Sequence, residues 1–420
     1  MIAAQRKKTI DPASVIHPAA NPLRPLSVRR QNDYPVHRGE FWTARQRQMH
    51  PVHYSISYRA SFKPELPDFF MHRYLTGRSI VLDPFGGRGT TAIQANFNGH
   101  VAVHNDISPV SYFISSSRKN IPTIDRIAAR LAALDLARLG RKWTTDEKER
   151  FSPFFHEQTF RELMGLRTLW MDSQDDVELN YIMLTAMTRL HGHSDGFFSA
   201  YSFPQISIQP EAQRRNNEKR GVRPGYRNVA ERILKKARRD LSRPIPEIFH
   251  KISRYNRYLL GDARNLDSIQ SNSIDLIITS PPFLDKVDYA KDNWMRAWFI
   301  GVEDTVRSLP MAVFSDPQQW LVFMKEAIIE MGRVLRSGGR AVIEVGEVEY
   351  GNRILYLEEL LIALFPMNLE TGILQVEELF LHTQEFTKLA NCWDVKNNEK
   401  GTNTNRCLVI RKTGSRTGSS

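Results

Sequence analysis

The chain has 420 residues, of which 41% are hydrophobic and 25% charged, a globular balance with room for two or three domains or one domain with a large insert. Two cysteines, Cys392 and Cys407, exclude a disulfide framework and a cysteine zinc finger, and fit a reducing compartment. The formal charge of +12 points to an acidic partner, of which nucleic acid is the commonest.

The charge is not spread evenly. Residues 1–47 carry nine Lys and Arg against three acids, and residues 211–243 carry twelve against four, so the rest of the chain is close to neutral. Residues 1–50 read as a basic arm, extended and proline-rich over its first 35 positions. No apolar run reaches the ~18 residues of a membrane span. The opening MIAAQRKKTIDPAS has no apolar signal-peptide core.

Ser79–Leu82 is a short apolar run that stops at Asp83-Pro84 and a glycine-rich turn, as a buried strand entering a tight loop does. Thr90–Asn98 reads as a helix and His100–His104 as a second strand, closed by Asn105-Asp106. This β-loop-α-β unit predicts an α/β fold with a Rossmann-like sheet. Helical periodicity follows over Ile124–Leu139, Phe160–Trp170 and Leu179–Leu190. Residues 192–225 have loop chemistry, and Tyr226–Leu241 is a basic helix. Strand signals resume at Tyr258–Leu260 and Asp275–Thr279. Gln318–Leu335 is an amphipathic helix, stopped by Ser337-Gly338-Gly339 with a glycine C-cap. Arg340–Val345 is a fifth strand and Cys407–Ile410 a last edge strand. Residues 51–120 and 256–412 therefore form one discontinuous domain, split by a largely helical insert over 121–255, with a disordered tail at 413–420.

Two loops carry chemistry. In Asp83-Pro84-Phe85-Gly86-Gly87-Arg88-Gly89-Thr90-Thr91 the glycines let backbone approach a bound molecule at the carboxyl end of a strand. Asp106, ending the next strand, is placed to accept from ribose hydroxyls. By itself this predicts a nucleoside cofactor, whether NAD, FAD or S-adenosylmethionine, and not a P-loop. The second loop is Thr279-Ser280-Pro281-Pro282-Phe283. Its prolines remove backbone donors and stiffen it, Ser280 offers a hydroxyl, and Phe283 offers a face for stacking on a base. Two acceptors there would hold the hydrogens of an exocyclic amino group and aim its lone pair at a methyl donor.

Together the loops resemble those of the S-adenosylmethionine-dependent DNA methyltransferases that act on exocyclic amino groups. The resemblance covers residues of about 58–110 and 256–348. It implies a class I methyltransferase sheet. It also implies cofactor contacts from Asp83, Phe85, Gly86, Gly87, Gly89, Thr90, Thr91 and Asp106, from Lys63 in Lys63-Pro64-Glu65-Leu66, and from Asp262 in Gly261-Asp262-Ala263. Ser280, Pro281, Pro282 and Phe283 would form the catalytic loop. Serine before the two prolines is typical of cytosine-N4 enzymes, so N4 of cytosine in duplex DNA is the expected target, in a restriction-modification or epigenetic marking role. Adenine-N6 is the nearest alternative, and an RNA methyltransferase or a non-catalytic nucleic-acid-binding module stands further off. The cofactor loop precedes the catalytic loop, with the insert between them, so the insert is the candidate target-recognition region. Arg214, Arg215, Lys219, Arg220, Arg223 and Arg227 are its candidate DNA contacts, with Gln205, Gln209, Gln213, Asn216 and Asn217 reaching for base edges.

The resemblance admits a partner endonuclease, of which the sequence carries no sign, and implies a cytoplasmic enzyme, at the nucleoid if the cell is prokaryotic. His191 and His193 lack the acids or cysteines of a metal site, so no metal is expected. Neither cysteine sits in a proline-cysteine loop, which argues against covalent catalysis. Trp294 and Trp298 read as packing. Asp285, Asp288 and Tyr289 are candidates to line the pocket, and Phe41-Trp42 to fold over the cofactor.

Overall fold

A computed structural model describes residues 27–31, 34–43, 48–59, 61–203, 207–282, 288–310, 313–387 and 400–414. Its strands are β1 (Ser27–Gln31), β2 (Tyr34–Gly39), β3 (Ile80–Asp83), β4 (Val101–Asp106), β5 (Arg257–Leu260), β6 (Ile274–Thr279), β7 (Leu335–Val345), β8 (Glu347–Tyr350), β9 (Arg353–Tyr356), β10 (Met367–Leu369), β11 (Gly372–Thr387) and β12 (Lys400–Thr413). Before the insert come α1 (Glu65–Tyr74), α2 (Thr90–Phe97) and α3 (Pro109–Ser116). The insert holds α4 (Ile124–Ala132), α5 (Leu136–Leu139), α6 (Thr145–Phe151), α7 (Glu157–Met171), α8 (Val177–Met187), α9 (Pro210–Arg220), α10 (Val229–Asp240) and α11 (Glu247–Ser253). After it come α12 (Tyr289–Asp292), α13 (Trp294–Phe299), α14 (Glu303–Ser308), α15 (Pro317–Val334) and α16 (Leu357–Ile362).

The main sheet runs β1-β2-β11-β12-β7-β6-β3-β4-β5, with β10 pairing to β11. The five strands from β7 to β5 are mutually parallel, and β12 enters antiparallel between β7 and β11. β3 and β6 are buried along nearly their whole length, as continuous apolar runs in a two-sided parallel sheet should be. The fold is a mixed α/β sheet of Rossmann-like kind with a helical segment between its strands. The order reverses between β3, which leads to β4 on one side, and β6 on the other. That is the switch point where ligands bind in open sheets.

One face of the sheet packs Trp320, Met324, Ile328 and Met331 of α15 against Leu82, Ile277 and Ile343. The other packs Leu66, Phe70 and Met71 of α1 against Val81, Ile278 and Val342. The insert has its own aromatic core, with Phe151, Phe154, Phe155 and Phe160 fully or almost fully buried. That core also takes in Val110 and Phe113 of α3 and Trp294, Met295 and Trp298 of α13, so the insert is packed onto the sheet domain.

Four expectations are corrected. Cys407–Ile410 is not an edge strand: β12 is flanked on both sides, because β11, which lacks a clear alternation, pairs along it. The basic arm over 1–50 contributes a hairpin, whose β2 pairs parallel with β11. Glu378 of β11 anchors that hairpin by accepting from His37 at 2.7 Å, Arg73 at 2.6 Å and Tyr74 at 3.0 Å. Ser337-Gly338-Gly339 is not a helix cap, since α15 ends at Val334 and β7 starts at once. Leu335 and Arg340 pair with Ile274 and Leu276, so residues 336–339 bulge out, with Gly338 at φ 77°. Residues 192–225 are not all loop: Pro210 opens α9, and Gly221 closes it in the left-handed conformation. Residues 1–26, Cys392 and 415–420 of the expected tail lie outside the described residues.

Candidate active site

A cleft enclosing about 870 Å³, counted to its open mouth, lies at the carboxyl ends of β3, β4, β5 and β6. Asp83–Gly87 follow from β3, Asp106–Ser108 from β4, Asp262 and Ala263 from β5, and Ser280 and Pro282 from β6. The two loops singled out in the sequence thus share one cavity of a size that holds a nucleoside cofactor.

The glycine loop is held from below. Asp106 Oδ2 accepts from Gly87 N and Oδ1 from Ser108 N, both at 2.8 Å. Burial raises the Asp106 pKa against these hydrogen bonds, which favour the ionised form. Gly86 lies directly on the His104 ring, and a Cβ there would come within 2.1 Å of it. Gly89 has φ 75° and sits on Ser115, beside Arg118. Arg118 is buried and donates to the carbonyl of Arg88 within the loop.

Asp83 accepts from Thr279 Oγ1 at 2.6 Å and from Phe85 N at 3.2 Å, so it ties the first loop to the second. Burial raises its pKa to about 7, partly opposed by hydrogen bonds from Thr279, Thr91 and Phe85. For Asp262, the hydrogen bonds and charge of Arg264 outweigh burial and hold the pKa below its usual value. Trp320 Nε1 donates to the Pro282 carbonyl at 2.8 Å and pins the second loop.

Not every expected residue reaches the cavity. Asp83, Phe85, Gly86, Gly87, Thr90, Asp106, Asp262, Ser280 and Pro282 line it. Lys63 does not; its neighbours Ser61 and Phe62 do. Gly89 and Thr91 act beneath, with Thr91 Oγ1 donating to Ile278 O at 3.2 Å. Pro281 is buried and is not part of the lining. Phe283 and Asp285 lie outside the described residues. Phe41 and Trp42 do not cover the cleft. They pack with Phe69 and His382 against the sheet, where Trp42 stacks on His382 at 3.9 Å.

Sequence reasoning missed Tyr58, Phe323 and Glu344. Tyr58 and Tyr289 both line the cleft, with ring centroids 5.9 Å apart. Burial and the Asp106 charge push the Tyr58 phenol well above its usual pKa. Phe323 faces Phe85 at 5.9 Å. Glu344, near the end of β7, is buried and accepts from Asn405 Nδ2 at 2.8 Å. No local motif marks these positions; Glu344 nears the second loop through strand order, and Tyr58 and Phe323 reach the cleft from the segment before α1 and from α15. Among the described residues no cluster of His, Cys, Asp and Glu could hold a metal, and no helix is long and apolar enough to cross a membrane.

In the insert, Arg214, Arg215, Lys219, Arg220 and Arg223 are exposed on or just after α9. Arg220 stacks over Tyr201 at 3.8 Å. Arg227 is spent internally, donating to Phe197 O at 2.7 Å and pairing with Asp195 at 3.3 Å. Gln213 and Asn217 do not reach outward. They lie one turn apart on the inner face of α9 and donate to Tyr201 O and Pro153 O. Gln205 is outside the described residues.

No family model matches the chain. It is similar to the type II methyltransferase M.BsoBI of Geobacillus stearothermophilus, with 22% identity over 286 residues, 63% of this chain and 56% of that protein. It is also similar to the type II methyltransferase M.MjaII of Methanocaldococcus jannaschii, with 34% identity over 71 residues, 17% of this chain and 13% of that protein. The chain thus spans little more than half the length of the first relative and a small part of the second. Among solved structures, TrmN from Thermus thermophilus aligns over 84% of this chain and 50% of its own, at 12% identity and a TM-score of 0.32, too low to bear on the fold, which rests on the strand order.

Proposed function

We propose that the chain is an S-adenosylmethionine-dependent DNA methyltransferase that modifies the exocyclic N4 of cytosine. The observation that carries this reading is the single cleft shared by the glycine loop and the Ser280 loop. The lining favours S-adenosylmethionine over a dinucleotide. The Asp106 and Asp262 carboxylates face the cavity, with Asp83 only partly ionised near neutral pH, against Arg59 as its one described cation. Carboxylates suit a sulfonium and an ammonium and repel a pyrophosphate.

Asp106 would accept from the ribose hydroxyls, and Phe85 and Phe323 would flank the adenine. The start of α2 at Thr90 would face the cofactor carboxylate. When bound, the cofactor supplies an electrophilic methyl group. Ser280 and the Pro281 carbonyl would accept from the amino hydrogens of a base flipped from the duplex, which fixes the nitrogen lone pair toward that methyl. Tyr58 and Tyr289 would shield the reacting centre from water. Residues 121–255 would hold the duplex, with the exposed basic side chains of α9 on phosphates. The type II designation of the relatives supports a restriction-modification role.

The test is transfer of labelled methyl from S-adenosylmethionine to mixed-sequence duplex DNA. The wild type should label DNA. Ser280→Ala should lose on the order of 100-fold in rate with cofactor affinity unchanged. Bound cofactor with no label in DNA would refute the reading.

A further inference from the structure

The loop serine has a buried carboxylate beside it that its motif does not include. β6 and β7 are parallel neighbours in register, with Thr279 opposite Ile343. Continued one residue past the end of β6, that register sets Ser280 beside Glu344. Ser280 lines the cleft, yet its Oγ is sealed from water and has no partner at full hydrogen-bonding geometry among the described residues. The Ser280 hydroxyl favours the ionised form of the Glu344 carboxyl, as a donor on the neighbouring strand end does. Asn405 Nδ2, from β12 on the far side, donates to Glu344 Oε1 at 2.8 Å.

Among the described residues Glu344 has no cation. On β12, Arg406 turns to Glu347 and Glu358, and the buried Cys407 thiol carries no charge to offer. On β6 and β3, Thr279 and Asp83 bond to each other. Burial raises the Glu344 pKa, opposed by Ser280 and Asn405. An unpaired carboxyl under a cleft is costly to keep, and groups of this kind gather at reaction centres.

We propose that Glu344 is a positioning residue that orients the Ser280 hydroxyl and takes its proton during amino methylation. The inference rests on the amino-methyl transfer proposed above. As the base nitrogen bonds to the methyl carbon, the carbon–sulfur bond breaks and its electron pair stays on sulfur. The nitrogen then carries one proton too many. That proton passes to Ser280 Oγ as the hydroxyl proton moves to the Glu344 carboxylate, which later releases it to water. The Ser280 hydroxyl, between the cleft and the Glu344 carboxylate, is the link that such a relay needs.

The experiment is single-turnover methylation of duplex DNA across pH, with S-adenosylmethionine affinity and melting temperature measured alongside. Wild-type rate should fall as pH drops and Glu344 takes up a proton. Glu344→Gln preserves shape, and should lose on the order of 100-fold in rate and the acid limb itself, with cofactor affinity within twofold. Asn405→Ala removes the hydrogen bond that favours the ionised form, and should move the acid limb to higher pH. This second variant decides the matter if Glu344→Gln does not fold. A Glu344→Gln enzyme with wild-type rate and acid limb, or an unmoved limb in Asn405→Ala, would overturn the relay alone. A wild type that binds cofactor and leaves DNA unlabelled would overturn the relay together with the proposed function.

Discussion

Gly86→Ala should block the cofactor site through one contact. The new Cβ would stand 2.1 Å from both Cε1 and Nδ1 of His104. Ordinary carbon contacts need ~3.5 Å or more, so a gap of roughly 1.4 Å must open. His104 is fully buried, with Ser111 Oγ 3.5 Å from its Nε2 and the Tyr258 ring 5.8 Å away. Burial and the nearby Arg118 charge lower its pKa to about 3, so the ring stays neutral and gains nothing by turning to solvent. The loop cannot retreat freely either, because Gly86 N donates to Asn105 O at 2.9 Å. Overpacking of this kind costs about 1–3 kcal/mol. Taken up wholly by the loop, that is ~5–150-fold in cofactor affinity. Calorimetric titration with S-adenosylmethionine and thermal melts would divide the loss between binding and stability. Gly87→Ala is the control: its Cβ meets Tyr58 at an ordinary 3.7 Å and pays only the strain of φ 50°, about 1 kcal/mol. Gly86→Ala with His104→Ala should be better than additive, with a coupling of about 1–3 kcal/mol. Unchanged melting and affinity in Gly86→Ala alone would refute the steric argument.

Asp83 binds its proton more tightly folded than unfolded, with a pKa raised to about 7 by burial. Its contribution to stability is complete below about pH 4 and is lost as pH rises through 7, by at most ~4 kcal/mol. Denaturant titrations between pH 4 and 8 should show that loss, and Asp83→Asn should flatten it; parallel curves for the two proteins would remove Asp83 as the cause. Asp106→Ala frees the Gly87 and Ser108 amides and should weaken the cofactor at least tenfold, read by the same titration; an unchanged affinity would detach Asp106 from the site. Arg215→Ala and Lys219→Ala should each lower the salt dependence of DNA binding by about one unit of log–log slope with melting unchanged. Arg227→Ala should instead lower melting, since it frees the carbonyls of residues 194 and 197. The reverse pattern would move the DNA contact to Arg227.

The parallel half of the sheet was legible because its strands are short apolar runs ended by turn residues, as at Leu82-Asp83-Pro84 and Thr279-Ser280-Pro281. Both loops were legible for the same reason: the glycines and prolines that serve the ligand also mark the strand ends. The antiparallel half was not. β11 spans Gly372–Thr387 with charged residues scattered on both faces, so no period stands out. β1 and β2 lie in a stretch whose prolines and arginines read as an arm, and what ties them down, the β11 ladder and Glu378 within it, is more than 300 residues away. α9 was hidden because it has almost no apolar stripe; its inner face is held by the amides of Gln213 and Asn217 rather than by packing. Glu344 shows the limit most clearly. A lone acid in the apolar run Ala341–Val345 carries no signal until β7 is laid beside β6.

The most direct test of the central claim is the chemical identity of the product. Mixed-sequence duplex DNA, incubated with the protein and isotope-labelled S-adenosylmethionine, would be digested to nucleosides and analysed by mass spectrometry. Label in N4-methylcytosine is the predicted result. Label in N6-methyladenine would contradict the base assignment while keeping amino methylation. Label in 5-methylcytosine, or none in DNA despite bound cofactor, would contradict the account as a whole.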